Sequence, residues 1–300
     1  GNIMVLCVSD DHGKSFRSCA TVVEHPDKSC RIYDPCLWFD PHGTLWMSYT
    51  QARGFNDGRS GVWVVTCKDA DAETLVWSEP RRIANGIMMN KPIVTQDNTW
   101  LFPCAIWRDE SGSVPAERHG LENEQFSNVY ASTDEGKTIV LRGHADVPMR
   151  SFDEHMIVQK RDGTLWMLVR TFDGLGESYS KDGGFTWTPG RKSHIDNPCS
   201  RFFIRRLKSG RLLMINHYNF DQRIDLDDIM HQGNVKRWKG RSHLTAMLSE
   251  DDGQTWPYTL LLDERDEVSY PDAKEADDGF IYVCYDHSRI TEREILMARF

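Results

Sequence analysis

Four short segments, each just ahead of an apolar run, gather side chains able to do chemistry. They are CRIYDP (Arg31, Asp34), RSFDEH (Asp153, Glu154, His155), PCSRFF (Arg201) and VSYPDA (Tyr270, Asp272). Carboxylates and an imidazole can take and give protons, guanidinium groups can hold anions, and a phenol offers a hydroxyl. Such groups at the mouth of a fold suit binding and proton transfer on a polar ligand. A purely structural scaffold has no need of them there.

The elements that position these residues repeat. Each of DPCLWFDPHGTLWMSYT, HMIVQKRDGTLWMLVRT, RFFIRRLKSGRLLMINH and YPDAKEADDGFIYVCYD reads as an apolar strand, a polar turn with Gly and a second apolar strand. PIVTQDNTWLFPCAI is a version without the Gly. These are β-hairpins. A second phrase, Ser-x-Asp-x-Gly-x-Ser/Thr-aromatic, alternates with them: SDDHGKSF from Ser9, SKDGGFTW from Ser180 and SEDDGQTW from Ser249. STDEGKTI from Ser132 ends in Ile, and CKDADAETLVW from Cys67 is degenerate. The Asp can cap the turn's own N–H groups, and the Gly supplies a backbone position suited to positive φ. The phrase reads as a hairpin corner rather than an active site. A calcium loop is the weaker reading, because the EF-hand ligand series and its closing Glu are absent.

Hairpin, strand, copied turn and strand make a four-stranded unit. Units fall at about 30 to 85, 86 to 147, 148 to 195 and 196 to 262, with a hairpin and a strand after them and two strands around the first turn phrase before them. Repeats of this length and content predict an all-β propeller in one domain spanning 1–300. Six blades are expected in the parent protein, the opening residues forming the second half of a blade whose first hairpin is absent.

The net charge of −9 argues against a nucleic-acid or anionic-membrane binder, though local arginines can still hold a small anion. There is no bilayer-spanning apolar run and no signal peptide in these residues. None of the eight cysteines stands in a Cys-x-x-Cys or at zinc-ligand spacing with His, so they read as free thiols in apolar strands and no metal is expected.

The copied turn and the segments above resemble the sialidase (neuraminidase) superfamily, in which the turn is called the Asp box. The resemblance implies a six-bladed propeller, three arginines on the substrate carboxylate, a Tyr nucleophile paired with a Glu, an Asp acid/base and no cofactor. CRIYDP resembles the family's Arg-Ile-Pro motif and offers Arg31, with Tyr33 and Asp34 standing before the Pro. TQARGFNDG offers Arg53 and the acid/base Asp57. DEHMIVQKRDGTLWMLVR offers Glu154 and Arg170. GRSHLTAMLSEDDGQTW followed by VSYPDA offers Arg241 and Tyr270. Arginine forks bind a carboxylate bidentately. The anomeric carbon of sialic acid bears that carboxylate, so a Tyr nucleophile avoids a repulsion that an Asp or Glu would meet. The implied function is retaining release of terminal sialic acid from a glycan or oligosaccharide, in a secreted or periplasmic setting.

Other readings of the same residues stand beside this one. Glu154 and Arg170 also suit a structural ion pair, Tyr270 a capped core aromatic, and Asp57 a residue of a Gly-rich turn. His155 could serve as an acid/base. A hydrolase or lyase acting on a uronic-acid or neutral sugar would draw on Asp34, Asp153, His155 and Asp272. A non-catalytic carbohydrate-binding propeller would line its mouth with aromatics such as Trp38 or Trp107.

Overall fold

The computed structural model describes residues 3–17, 20–53, 60–107, 120–150, 152–220 and 240–300. They fall into two compact units, Gly1–Ala145 and Asp146–Phe300. Among the described residues, the regular structure apart from one 3₁₀ turn at Glu122–Glu124 is β.

The first unit holds three antiparallel sheets. β1 (Ile3–Val5) pairs with β2 (Thr21–Glu24) around the first copied turn. The strands β3 (Cys30–Phe39), β4 (Leu45–Arg53), β5 (Gly61–Cys67) and β6 (Arg81–Asn85) form a sheet in sequence order. So do β7 (Ile93–Val94), β8 (Trp100–Ala105), β9 (Ser127–Ser132) and β10 (Val140–Ala145). The core between these sheets is aromatic. Trp38 meets the edge of Trp100 with ring centroids 5.0 Å apart, and Trp46 meets Trp100 at 5.7 Å. Trp38 is therefore core, and does not line a mouth as a binding module would require.

The second unit continues the pattern. One sheet is β11 (Met156–Gln159), β12 (Leu165–Arg170), β13 (Leu175–Ser180) and β14 (Arg191–Lys192). The next is β15 (Phe203–Arg206), β16 (Leu212–His217), β17 (Leu244–Ser249) and β18 (Tyr258–Asp263). The last has three strands, β19 (Val268–Glu275), β20 (Ile281–His287) and β21 (Glu294–Arg299). One hydrophobic core runs through all three sheets, with Trp166, Leu168, Phe202, Ile215 and Val283 among its buried members.

Consecutive antiparallel meanders of this kind are propeller blades. The sequence favoured six. The described residues give five blades of three or four strands, and β1–β2 is a separate two-stranded sheet. The physical reason is that β1 and β2 flank a copied turn. In three of the five blades that turn joins the third strand to the fourth, so it carries no inner hairpin of its own.

The copied turns share one hydrogen-bond design. In the turn from Ser180, the Gly184 N–H donates to Ser180 Oγ at 2.9 Å, and Thr186 donates to Asp182 from N at 2.9 Å and from Oγ1 at 2.6 Å. The turns from Ser9, Ser132 and Ser249 repeat it. Each Asp is an acceptor of several N–H and O–H groups, which holds its carboxyl well below the ordinary range. Asp11, Asp134 and Asp182 are pulled down to about 2 and Asp251 lower still, with the partner Thr or Ser as the chief cause. The corner also locks two blades together. A Cβ on Gly253, at φ 86°, would stand 2.4 Å from the Trp166 ring of the preceding blade. Asp252 beside it accepts from Arg206 Nη2 at 2.8 Å and from the Arg161 N–H at 2.8 Å. The scaffold reading of this phrase holds. Among the described cysteines all seven are free, five buried and Cys7 and Cys284 exposed.

Candidate active site

In an antiparallel meander, the starts of the odd strands and the ends of the even strands lie at one end of the blade. The copied turns occupy the opposite end. In the second unit this geometry selects the segment before β11, the end of β12, the segments before β15 and β17, the start of β19 and the end of β20. Those segments carry Glu154, Arg170, Arg201, Arg241, Tyr270 and Arg289.

The backbone brings Glu154 in by an unusual route. Phe152, Asp153 and Glu154 are consecutive left-handed residues, at φ 56°, 53° and 42°. Each non-glycine residue there costs about 1 to 2 kcal/mol. Local bonds hold the segment: Arg150 Nη1 grips both Asp153 oxygens at 3.1 and 3.0 Å, and the Arg170 N–H donates to the Asp153 carbonyl at 2.9 Å. Asp153 is 1% exposed and thus serves the scaffold. Tyr270 also sits at positive φ, 57°, where the β19 register slips between Ser269 and Asp272. Pro271 follows it, offers no N–H to the ladder and so suits that bulge.

These strained segments meet. The Tyr270 hydroxyl donates to Glu154 Oε1 at 2.7 Å. Arg170 Nη1 donates to Glu154 Oε2 at 2.8 Å and to the Tyr270 oxygen at 3.0 Å. Arg170 is wholly buried and Glu154 nearly so. Arg170 Nη2 also reaches Cys199 Sγ at 3.4 Å. Arg241 is buried too, with its Cζ 5.5 Å from the Tyr270 ring centroid and its Nη2 donating to the Cys199 carbonyl at 2.9 Å. Arg201 Nη1 donates to the Pro271 carbonyl, and its Nη2 lies 3.7 Å from Asp272. Arg289 lies over the Tyr270 ring, 3.6 Å from its centroid.

The electrostatics follow from this packing. Burial raises the Tyr270 phenol above its ordinary range, and Glu154 adds to that, while Arg170, Arg241 and Arg289 oppose it. The proton therefore rests on Tyr270 and points at Glu154. Arg241 is pulled down to about 10 by burial and then by the Arg170 charge. Its cation is a held charge that a bound anion would relieve. Burial alone would lower Arg170 as well, but Cys199, Glu154 and the Glu154 hydrogen bond outweigh it and raise it.

Of the residues selected in sequence, Glu154, Arg170, Arg241 and Tyr270 form one cluster. His155, just before β11, is 1% exposed, as deeply buried as Arg170 in the cluster. Arg31, Asp34 and Arg53 belong to the first unit. Arg31 stacks on Tyr33 with its Cζ 4.2 Å from the ring centroid. Asp34 is left-handed at φ 53° in a β3 bulge, and Arg53 is exposed at the end of β4. Asp57 lies outside the described residues. His287, Glu292 and Glu294 are the one group of three among the described residues with metal-ligand atoms within 4.8 Å of one another. The His287 ring nitrogen lies 3.2 and 2.9 Å from the two carboxylates, and Arg265 also approaches Glu294, so the group reads as an ion-pair network on the β20–β21 corner.

One signal in the sequence went unused. Each inner hairpin turns on a left-handed residue: Gly43, Asn98, Gly163, Gly210 and Gly279. The residue nine positions earlier is Asp34, Met89, Glu154, Arg201 or Tyr270. Three of these five, Asp34, Glu154 and Tyr270, are left-handed. Four of the five blades thus place a charged or hydroxyl-bearing side chain at one equivalent position: Asp34, Glu154, Arg201 and Tyr270. Arg289 had no such mark, because it lies in the corner after β20.

The sequence matches the BNR repeat-like domain family over residues 5–283. The chain belongs to that family. Its fold is that of the sialidase superfamily propellers. The structure is similar to that of the Hadza microbial sialidase Hz136, with a TM-score of 0.71 and 19% identity, covering 99% of this chain and 59% of that one. It is similar to a Dyadobacter fermentans protein of unknown function, at TM-score 0.68 and 17% identity over 99% and 82% of the two chains. It is also similar to the intramolecular trans-sialidase of Ruminococcus gnavus, at TM-score 0.65 and 13% identity over 98% and 86%. The chain spans less than two thirds of the first of these. No curated protein matches the sequence.

Proposed function

We propose that the protein is a retaining exo-glycoside hydrolase that releases terminal sialic acid from glycans. The observation that carries this reading is the Tyr270 hydroxyl donating to Glu154 Oε1 at 2.7 Å, with Arg170 Nη1 donating to Glu154 Oε2 and to the Tyr270 oxygen. A phenol aimed at a buried carboxylate, among arginines, is the arrangement a carboxylate-bearing anomeric centre calls for.

In the proposed reaction Tyr270 Oη attacks the anomeric carbon while Glu154 takes the phenol proton. The bond to the leaving oxygen breaks, and an acid protonates that oxygen. The conjugate base of that acid then takes a proton from water as the water oxygen attacks the anomeric carbon, the phenolate leaves, and Glu154 returns its proton to Tyr270. Arg241 and Arg170 hold the sugar carboxylate. The resemblance assigns the leaving-group acid to Asp57 and further anion binding to Arg31, with Arg53, Asp34 and His155 as additional substrate-binding candidates. Those five roles rest on the sequence motifs alone. One family match running through both units supports reading 1–300 as one domain. The need to meet an extracellular glycan supports a secreted or periplasmic location.

The deciding assay measures 4-methylumbelliferone release from a sialic acid conjugate beside a panel of uronic and neutral sugar conjugates. Hydrolysis of the sialic acid conjugate is expected, falling on the order of 10²-fold or more in Tyr270→Phe. Activity confined to the other sugars overturns the proposal, as does binding of sialosides without turnover.

A further inference from the structure

We propose that Arg289 is a positioning residue for the nucleophile, its guanidinium lying on the Tyr270 ring to favour the phenolate that forms during catalysis. The proposal rests on Tyr270 being the nucleophile of the reading above. It concerns an arginine that none of the motifs pointed to, outside the set assigned to the substrate carboxylate.

The geometry is close and built. The 3.6 Å from Arg289 Cζ to the ring centroid lies well inside the roughly 6 Å over which a cation is drawn to an aromatic face. A phenolate ring is richer in electrons than a phenol ring. The cation therefore stabilises the charged form more than the neutral one, which is the differential that accelerates a step. The guanidinium is fixed from behind. Its Nε donates to Asp286 Oδ2, and Asp286 Oδ1 accepts from Ser269 Oγ at 2.6 Å. Ser269 is the residue before Tyr270 and the direct cross-strand partner of Asp286. The holder of the arginine is thus tied to the backbone that carries the phenol. Arg241 Nη1, 3.5 Å from Ser269 Oγ, joins the same chain of contacts.

The charged groups facing Tyr270 come from four places. Glu154 approaches from the segment before β11, Arg170 from the end of β12, Arg241 from ahead of β17 and Arg289 from beyond β20. Glu154 opposes the phenolate and the three arginines favour it. Arg170 also forms a buried ion pair with Glu154, and Arg170 and Arg241 are both assigned to the substrate carboxylate. The Arg289 charge stays with the ring when both of those are occupied. During the second step, that charge makes Tyr270 a better leaving group from the sugar.

The test separates this claim from the activity itself. In a Glu154→Gln background, ring-¹³C tyrosine NMR follows the Tyr270 titration, with Tyr270→Phe identifying its resonance among the nine tyrosines. Adding Arg289→Gln or Arg289→Met is expected to lower the acid dissociation constant of the phenol roughly tenfold, and Arg289→Lys to restore part of it. Gln keeps a donor for Asp286, and the Arg289 side chain is 40% exposed, so both neutral variants should remain folded. With Glu154 intact, Arg289→Gln should lower kcat on the sialoside roughly tenfold with KM changed less than about twofold. A Tyr270 titration that does not move in either neutral variant overturns the proposal. If the wild type hydrolyses no sialoside, the proposed function fails, and the titration still decides the role of Arg289.

Discussion

At the scale of single residues, the site is a buried charge arrangement that is stable only as a whole. Arg170 and Glu154 lie 2.8 Å apart with side chains 0% and 2% exposed. Replacing Arg170 by Met strands Glu154 in the interior, and a fall in folding stability of about 3 kcal/mol is expected from chemical denaturation. A double variant, Arg170→Met with Glu154→Leu, should recover most of it while remaining inactive. Arg241 makes the opposite prediction. Burial and Arg170 disfavour its charge, so an anion placed there relieves a cost. N-acetylneuraminic acid is expected to raise Tm in a calorimetric scan, more than a neutral sugar does, and Arg241→Met should abolish that difference. Glu154, Arg170, Arg241 and Tyr270 could be singled out because the segments that carry them resemble the motifs of a known family. Arg289 could not, because stacking on a ring leaves no periodic trace.

At the scale of elements, the copied turns lock strands at the end of the blade opposite the charged cluster. The turn from Ser249 seats Gly253 on Trp166 of the neighbouring blade, while Asp252 ties Arg206 and the Arg161 turn. Gly253→Ala meets both a left-handed backbone and a 2.4 Å contact with a buried ring. A loss of about 2 kcal/mol is expected in urea unfolding, larger than for Ala at Gly163, which has φ 87° but nothing within 4 Å. The contrast isolates packing from backbone conformation. Strand boundaries, hairpin order and the copied turns were readable because alternation and turn chemistry are local. The β19 bulge and the three left-handed residues before β11 were not. They are imposed by partners such as Arg150 and the Arg170 N–H, and one of those partners is distant in sequence.

At the scale of the whole chain, the four turn aspartates act together. Each has a folded pKa depressed below its unfolded value near 3.8, so the stability it lends is complete above about pH 4. That stability is lost as pH falls toward 2, because the unfolded state takes up protons that the folded turns refuse. Circular dichroism across this range should show a midpoint denaturation temperature falling steeply between about pH 4 and 2, and a variant with Asp182→Asn and Asp251→Asn should lose less over that interval. The net charge of −9 says nothing of the arginines gathered in the second unit. By itself the sequence determined the all-β repeat and the role of the copied turn, since spacing and turn chemistry are written locally. Only the tertiary structure decided that five meanders of three or four strands accompany a separate two-stranded sheet, that Tyr270 donates to Glu154, that Arg150 grips Asp153, and that Arg289 rests on the Tyr270 ring. Those facts depend on which strand ends meet and on left-handed backbone held by remote partners, and no residue's neighbours in sequence specify them.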